Sequence, residues 1–123
     1  MAGKWITIAA LSGAIAVIAG AFGAHALKQK LTPEQLNTFE VGARYHMYHS
    51  LALLAVAWLA TAKPSKMITA SGICMVVGIV LFCGSLYLLP LTKWRWLGPV
   101  TPLGGLSFIV GWVLMAVSAA RSP

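Results

Sequence analysis

Acid is nearly missing from this chain. Aspartate does not occur, and glutamate occurs only at Glu34 and Glu40, against nine Lys and Arg in 123 residues, for a formal charge of +7. Without Asp there is no Ser-His-Asp triad. With so few carboxylates there are no Glu-x-x-His repeats of the kind that hold paired metals inside helical bundles. No Gly-x-Ser-x-Gly elbow and no phosphate-cradling glycine loop is present, and Ser85 has no base near it in sequence. No enzymatic activity is expected on these grounds. Charged residues of both signs amount to 9%, where soluble domains carry about 25%. Such a chain cannot coat a water-facing surface and must be solvated by lipid.

Cysteine is scarce as well. Cys74 and Cys83 fall in one predicted helix, on opposite faces and roughly 13 Å apart along its axis, beyond disulfide reach. They read as small buried residues. What the chain does have is apolar residues, 59% of the total. The cations lie in short groups between the apolar runs: Lys4; Lys28 and Lys30; Lys63 and Lys66; Lys93 and Arg95; Arg121. This spacing fits anchors at lipid headgroups rather than a nucleic-acid patch, so no nucleic-acid partner is expected.

A bilayer crossing needs about 20 apolar residues. The pattern predicts spans over about 5–27, 44–62, 67–89 and 101–120, in one transmembrane domain covering 1–123. The competing reading of the first run is a secretory signal, favoured by Lys4 and Ala24-His25-Ala26. The run is longer than a signal's apolar core and no soluble domain follows, so an uncleaved helix is preferred. Thr32-Pro33-Glu34-Gln35 is a helix start, with a Thr-x-x-Gln capping box and Pro in the first turn. A helix from there to Ala62 would be about 45 Å long against a core of roughly 30 Å. Its first portion, with Leu36, Phe39 and Ala43 on one face, is therefore expected to lie at the interface, with a bend at Gly42. Pro90 is expected to stop the third span. The expected fold is an all-α, integral-membrane, four-helix up-down bundle with that interfacial amphipathic extension at the start of helix two. Small residues at four-residue spacing, Ala16/Gly20/Ala24, Ala70/Cys74/Gly78 and Ser107/Gly111, suit close helix packing. Gly20, Gly23, Gly78, Gly84, Gly104 and Gly105 are the glycines assigned to it. Lys and Arg number four on the side of the termini and four or five on the other, so no orientation follows.

Alternating topology puts the unusual residues on one membrane face: Gly20 to His25, Glu40 to His49, Phe82 to Tyr87, and Thr101 to Gly105. The other face carries Trp5 and Trp58, read as ordinary anchors. The candidate polar cluster is His25, Glu40, Arg44, Tyr45 and His49. Glu40 and Arg44 are spaced for a helical ion pair, read as interfacial. His25 and His49 are read as neutral imidazoles tying helix ends together. Trp94 and Trp96 belong to the interfacial belt. Three histidines with Glu40 as the single nearby carboxylate do not make up a metal-ligand set, and no metal or other cofactor is assigned.

The motifs Gly20-Ala21-Phe22-Gly23-Ala24-His25, Leu31-Thr32-Pro33-Glu34-Gln35-Leu36, Phe39-Glu40, Arg44-Tyr45, Tyr48-His49, Leu81-Phe82-Cys83-Gly84-Ser85-Leu86-Tyr87 and Thr101-Pro102-Leu103-Gly104-Gly105, in this order, resemble the domain-of-unknown-function 423 family. These are small bacterial inner-membrane proteins, similar to eukaryotic transmembrane protein 256. The resemblance covers nearly the whole chain. It implies a compact multi-span protein of the plasma membrane and carries no activity with it. One departure is His46, where the family pattern tends to have Gln, which leaves His25 and His49 as the better site candidates. The functional expectation is a non-enzymatic structural or accessory protein of the cell inner membrane, in contact with the lipid bilayer and with a second copy or another membrane protein as companion. The rival is a small-molecule, ion or proton carrier using the His/Tyr cluster. A metal or haem binder is a weaker third reading.

Overall fold

The Thr32 side chain accepts from the Gln35 N–H at 3.2 Å, and the Gln35 side chain accepts from the Thr32 N–H at 3.0 Å. This capping box starts the longest element, α2 (Pro33–Ala62). The computed structural model describes residues 2–121. Among them the other elements are α1 (Ala2–His25), α3 (Lys66–Gly78), a π-helical turn (Ile79–Cys83), α4 (Gly84–Leu91), a 3-10 turn (Arg95–Leu97) and α5 (Val100–Arg121). The π turn joins α3 and α4 into one continuous helical rod. With α1, α2 and α5 that makes four rods in an up-down arrangement. Pro90 does not stop the third rod: it sits inside α4, which runs on to Leu91, where the Thr92 N–H closes the last turn on the Leu88 carbonyl. A proline can sit in this last turn at the loss of a single backbone donor.

Three helices are long and apolar enough to cross a membrane: Gly3–His25, Lys66–Leu91 and Arg95–Arg121. The predicted span 44–62 is not among them. The physical reason is its first half, where Arg44, Tyr45, His46, Tyr48, His49 and Ser50 stand within seven consecutive residues. α2 runs through Gly42 as a single uninterrupted helix of 30 residues. Gly42 is a contact point, since a Cβ there would meet the Tyr87 ring at 3.0 Å and Leu86 at 3.1 Å.

α1 packs chiefly on α2, α2 also lies against α3, the π turn and α4, and α5 packs chiefly on α3 and the π turn. The centre is filled by Leu53, Val56, Ile68, Met75 and Cys83, with Trp5 and Phe108 closing over them. Trp5 is not a headgroup anchor. It is buried, with its ring edge seated where Gly72 leaves no side chain. Trp58 is 65% exposed and Trp94 and Trp96 lie at the surface, as an interfacial belt requires.

Close approach is concentrated between the third and fourth rods. Ser71 donates to the Gly111 carbonyl and Ser107 to the Cys74 carbonyl, both at 2.7 Å, Ser65 and Ser118 share a bond of 3.1 Å, and Ser85 bonds Thr101. Gly78 makes room for the Phe108 ring, and Gly104 lies directly on the Phe82 backbone. A Cβ at Gly105 would make ordinary contact with Phe82 at 3.7 Å, and one at Gly23 would run into the Phe39 ring at 2.8 Å. A side chain at Gly20 or Gly84 would meet nothing within 4 Å, so neither lies at a tight contact. Gly104→Ala puts a methyl on main chain that cannot yield, and is expected to lower stability by about 1–3 kcal/mol. Gly84→Ala should stay within about 0.5 kcal/mol of the parent. Thermal unfolding of the two variants in detergent compares them.

Candidate functional site

The polar residues of α2 meet their partners at mid-bundle. His46 and His49 lie near the midpoint of α2, which runs from Pro33 to Ala62. Both are buried, at 5% exposure. The Ser50 hydroxyl donates to the His46 carbonyl at 2.8 Å. Its one proton is thereby used, so in the 2.6 Å contact between Ser12 and Ser50 the donor is Ser12. Ser12 must then accept from His46 Nε2–H at 3.0 Å, and His46 Nδ1 accepts from the Tyr87 hydroxyl at 2.8 Å. The result is a directed chain, Tyr87 to His46 to Ser12 to Ser50 and back to the His46 backbone, in which each proton is used once. It ties α1, α2 and α4 together.

His49 has the opposite tautomer. Its Nδ1–H donates to the Tyr45 carbonyl at 2.7 Å, and its Nε2 accepts from Trp112 Nε1–H at 3.1 Å. A carbonyl can only accept and an indole N–H can only donate, so both bonds together require the neutral ring. The imidazole stacks on Phe108 with centroids 3.5 Å apart and planes at 10°, and Trp112 meets it edge-on at 5.8 Å. The Tyr45 ring lies nearly parallel to it with centroids 6.2 Å apart and also meets Phe82 at 5.0 Å. The i,i+4 pairing of Tyr45 with His49 therefore exists, through backbone and ring.

The rest of the predicted cluster is not drawn into this network. No hydrogen bond, ion pair or ring contact joins His25, Glu40 or Arg44 to Tyr45 or His49, or to one another, among the described residues. His25 ends α1 with its ring exposed, Arg44 is exposed and Glu40 is half-buried. Near headgroup water, hydration competes with an ion pair between long side chains, so i,i+4 spacing does not by itself hold Glu40 to Arg44. The residues that sequence reasoning passed over are Ser12, His46, Ser50, Tyr87, Phe108 and Trp112. A serine in mid-span and His46 four residues before Ser50 were visible signals, but which helices meet was not. Among the described residues no three of His, Cys, Asp and Glu come together as a metal set. Ser12 and His46 also form the floor of a lateral cleft of about 320 Å³, walled by Ile8, Leu11, Leu53 and Ile79.

Residues 19–105 match the family model described as "Protein of unknown function (DUF423)". The chain belongs to this family. It is 43% identical over 118 residues to the UPF0382 membrane protein YwdK of Bacillus subtilis, covering 95% of this chain and 96% of that one. It is 42% identical over 117 residues to a UPF0382 membrane protein of Staphylococcus saprophyticus, covering 95% and 97%. It is 40% identical over 116 residues to the UPF0382 inner membrane protein YgdD of Escherichia coli K12, covering 94% and 88%. No solved structure matches. Family membership and three helices fit to span a bilayer make this a multi-pass protein of the inner, or plasma, membrane. The DUF423 match contains His46, His49, Tyr87 and Gly104 but not Ser12 or Trp112, so the network draws on helices beyond both ends of the matched segment.

Ser12→Ala removes two bonds of the directed chain and is expected to lower stability by roughly 1–2 kcal/mol, given about 0.6 kcal/mol for an average bond between membrane helices. Combined with Tyr87→Phe its effect should be non-additive, whereas combined with Ser107→Ala it should add, since Ser107 serves a separate bond. Thermal unfolding of the single and double variants measures the coupling.

Proposed function

We propose that the protein is a non-enzymatic structural or accessory component of the membrane, which presents a stiff, lipid-embedded scaffold to a companion chain. One observation carries this reading: every buried side-chain polar atom among the described residues has a hydrogen-bond partner inside the protein. Catalysis and transport both need polar groups held ready for something that arrives from outside. Here the two buried histidines spend both ring nitrogens on the scaffold. The outward faces of α1 and α5 carry Leu11, Ile15, Ile18, Leu103, Leu106 and Ile109, all exposed, which suits lipid or a second membrane helix.

The rival reading, a small-molecule, ion or proton carrier, draws on the cleft that reaches His46 and on the directed chain behind it. The apolar walls of that cleft favour hydrocarbon over water, and neither His25 nor His49 lines it. Purified protein in liposomes is expected to give no proton, ion or solute flux above protein-free vesicles and no turnover. Crosslinking in native membranes is expected to trap it with a companion. Flux that His46→Gln abolishes would establish the carrier instead.

A further inference from the structure

Two of the nine cations line one cavity. Lys63, Ser65 and Met67, from the connection between α2 and α3 and the start of α3, face Ser118 and Arg121 at the end of α5 around a space of about 670 Å³. This lies within the roughly 300–1,000 Å³ of ordinary small-molecule sites. The Ser65–Ser118 bond at 3.1 Å pins the start of α3 to the end of α5 and so holds the walls in place. The same end of the bundle carries Lys4 and Lys66, at the starts of α1 and α3. No carboxylate side chain is near. Both glutamates belong to the first part of α2, and from Glu40 to Lys63 the helix rise amounts to about 34 Å. Coulomb interaction is screened within about 10 Å at ordinary salt, so the glutamates do nothing to balance this end.

We infer that this cavity seats the phosphate of an anionic phospholipid. The charge of the occupant follows from Lys63 and Arg121 lacking any acidic side chain to balance them. A phosphate diester offers the oxygens that an Arg fork and a Lys ammonium bind. That the phosphate is lipid-borne follows from position. The cavity lies at the membrane end of three rods, just beyond exposed Trp58, and Ala62 and Met67 give it an apolar wall beside its cations. Tryptophan marks headgroup level, and basic pockets between membrane helices take lipid headgroups in this way. The site is independent of the scaffold reading above, because either a scaffold or a carrier can hold a lipid there.

The test uses the full chain in zwitterionic nanodiscs, with lipid retention measured by native mass spectrometry and protection by thermal unfolding. The probes are phosphatidylglycerol, phosphatidylcholine and inorganic phosphate. The parent should retain phosphatidylglycerol in preference to phosphatidylcholine. Each cation near an anionic surface contributes roughly five-fold, so Lys63→Gln with Arg121→Gln should reduce that preference roughly ten-fold or more. Lys28→Gln with Lys30→Gln removes the same charge at the opposite end and should leave the preference within about two-fold. Lys63→Arg with Arg121→Lys should retain it. All four positions are exposed, so the fold should persist, and circular dichroism checks this. Equal loss from the two neutralised pairs, no preference in the parent, or equal protection by inorganic phosphate would each overturn the proposal.

Discussion

A polar group in hydrocarbon has no water to turn to, so it must find its partner inside the protein. Everything central in this bundle follows from how α2 meets that demand. Its middle turns carry His46, His49 and Ser50, and each neighbouring rod supplies a complement: Ser12 from α1, Tyr87 from α4, and Trp112 from α5. Because hydroxyls, imidazoles and indoles have fixed numbers of protons, the partners also set the tautomers, Nε2–H at His46 and Nδ1–H at His49. α2 is the least apolar of the rods and hydrogen-bonds through its side chains to every other one, and these are two sides of one arrangement. A helix this polar must be surrounded.

The second interface works differently. Between the third rod and α5 there is no histidine, and the joining groups are serines whose hydroxyls reach across to carbonyls of the opposite helix. Such bonds require the backbones to come close, which is why small residues lie beside them. Cys74 faces Gly111, where a Cβ would come within 3.2 Å of it, Gly78 admits Phe108, and Gly104 lies on the Phe82 main chain. The π turn falls in the same place, from Ile79 to Cys83. Phe82, within that turn, reaches both Tyr45 and Phe108, the latter at 5.5 Å, and so links the aromatic group around His49 to the glycine seam. Polar satisfaction and close packing meet at this one residue.

Local features were legible in the chain because they depend on neighbours in sequence. The Thr32–Gln35 capping box, the apolar length of three helices and the four-residue spacing of small residues at Cys74/Gly78 and Ser107/Gly111 are of this kind. The candidate site was legible only in part. Tyr45 and His49 meet as their i,i+4 spacing suggests, but the side chains of His25, Glu40 and Arg44 have no bonded partner among the described residues, and His46 outranks them in number of bonds. The error has one source. With the span of α2 taken to begin at Arg44, its histidines looked like groups at a helix end. Counted along the whole helix, Pro33–Ala62, they lie at its middle, where a neutral polar side chain needs partners most.

From composition alone, the scarcity of charge and the long apolar runs determined that the protein is helical and lies in the membrane, since only paired backbone survives in lipid. The tertiary structure decided which polar residues matter, because a hydrogen bond between helices depends on the level and rotation at which two rods meet. Ser12 and Ser50 stand 38 positions apart, His49 and Trp112 stand 63 apart, and no local pattern connects either pair. Only packing brings them within 3.1 Å.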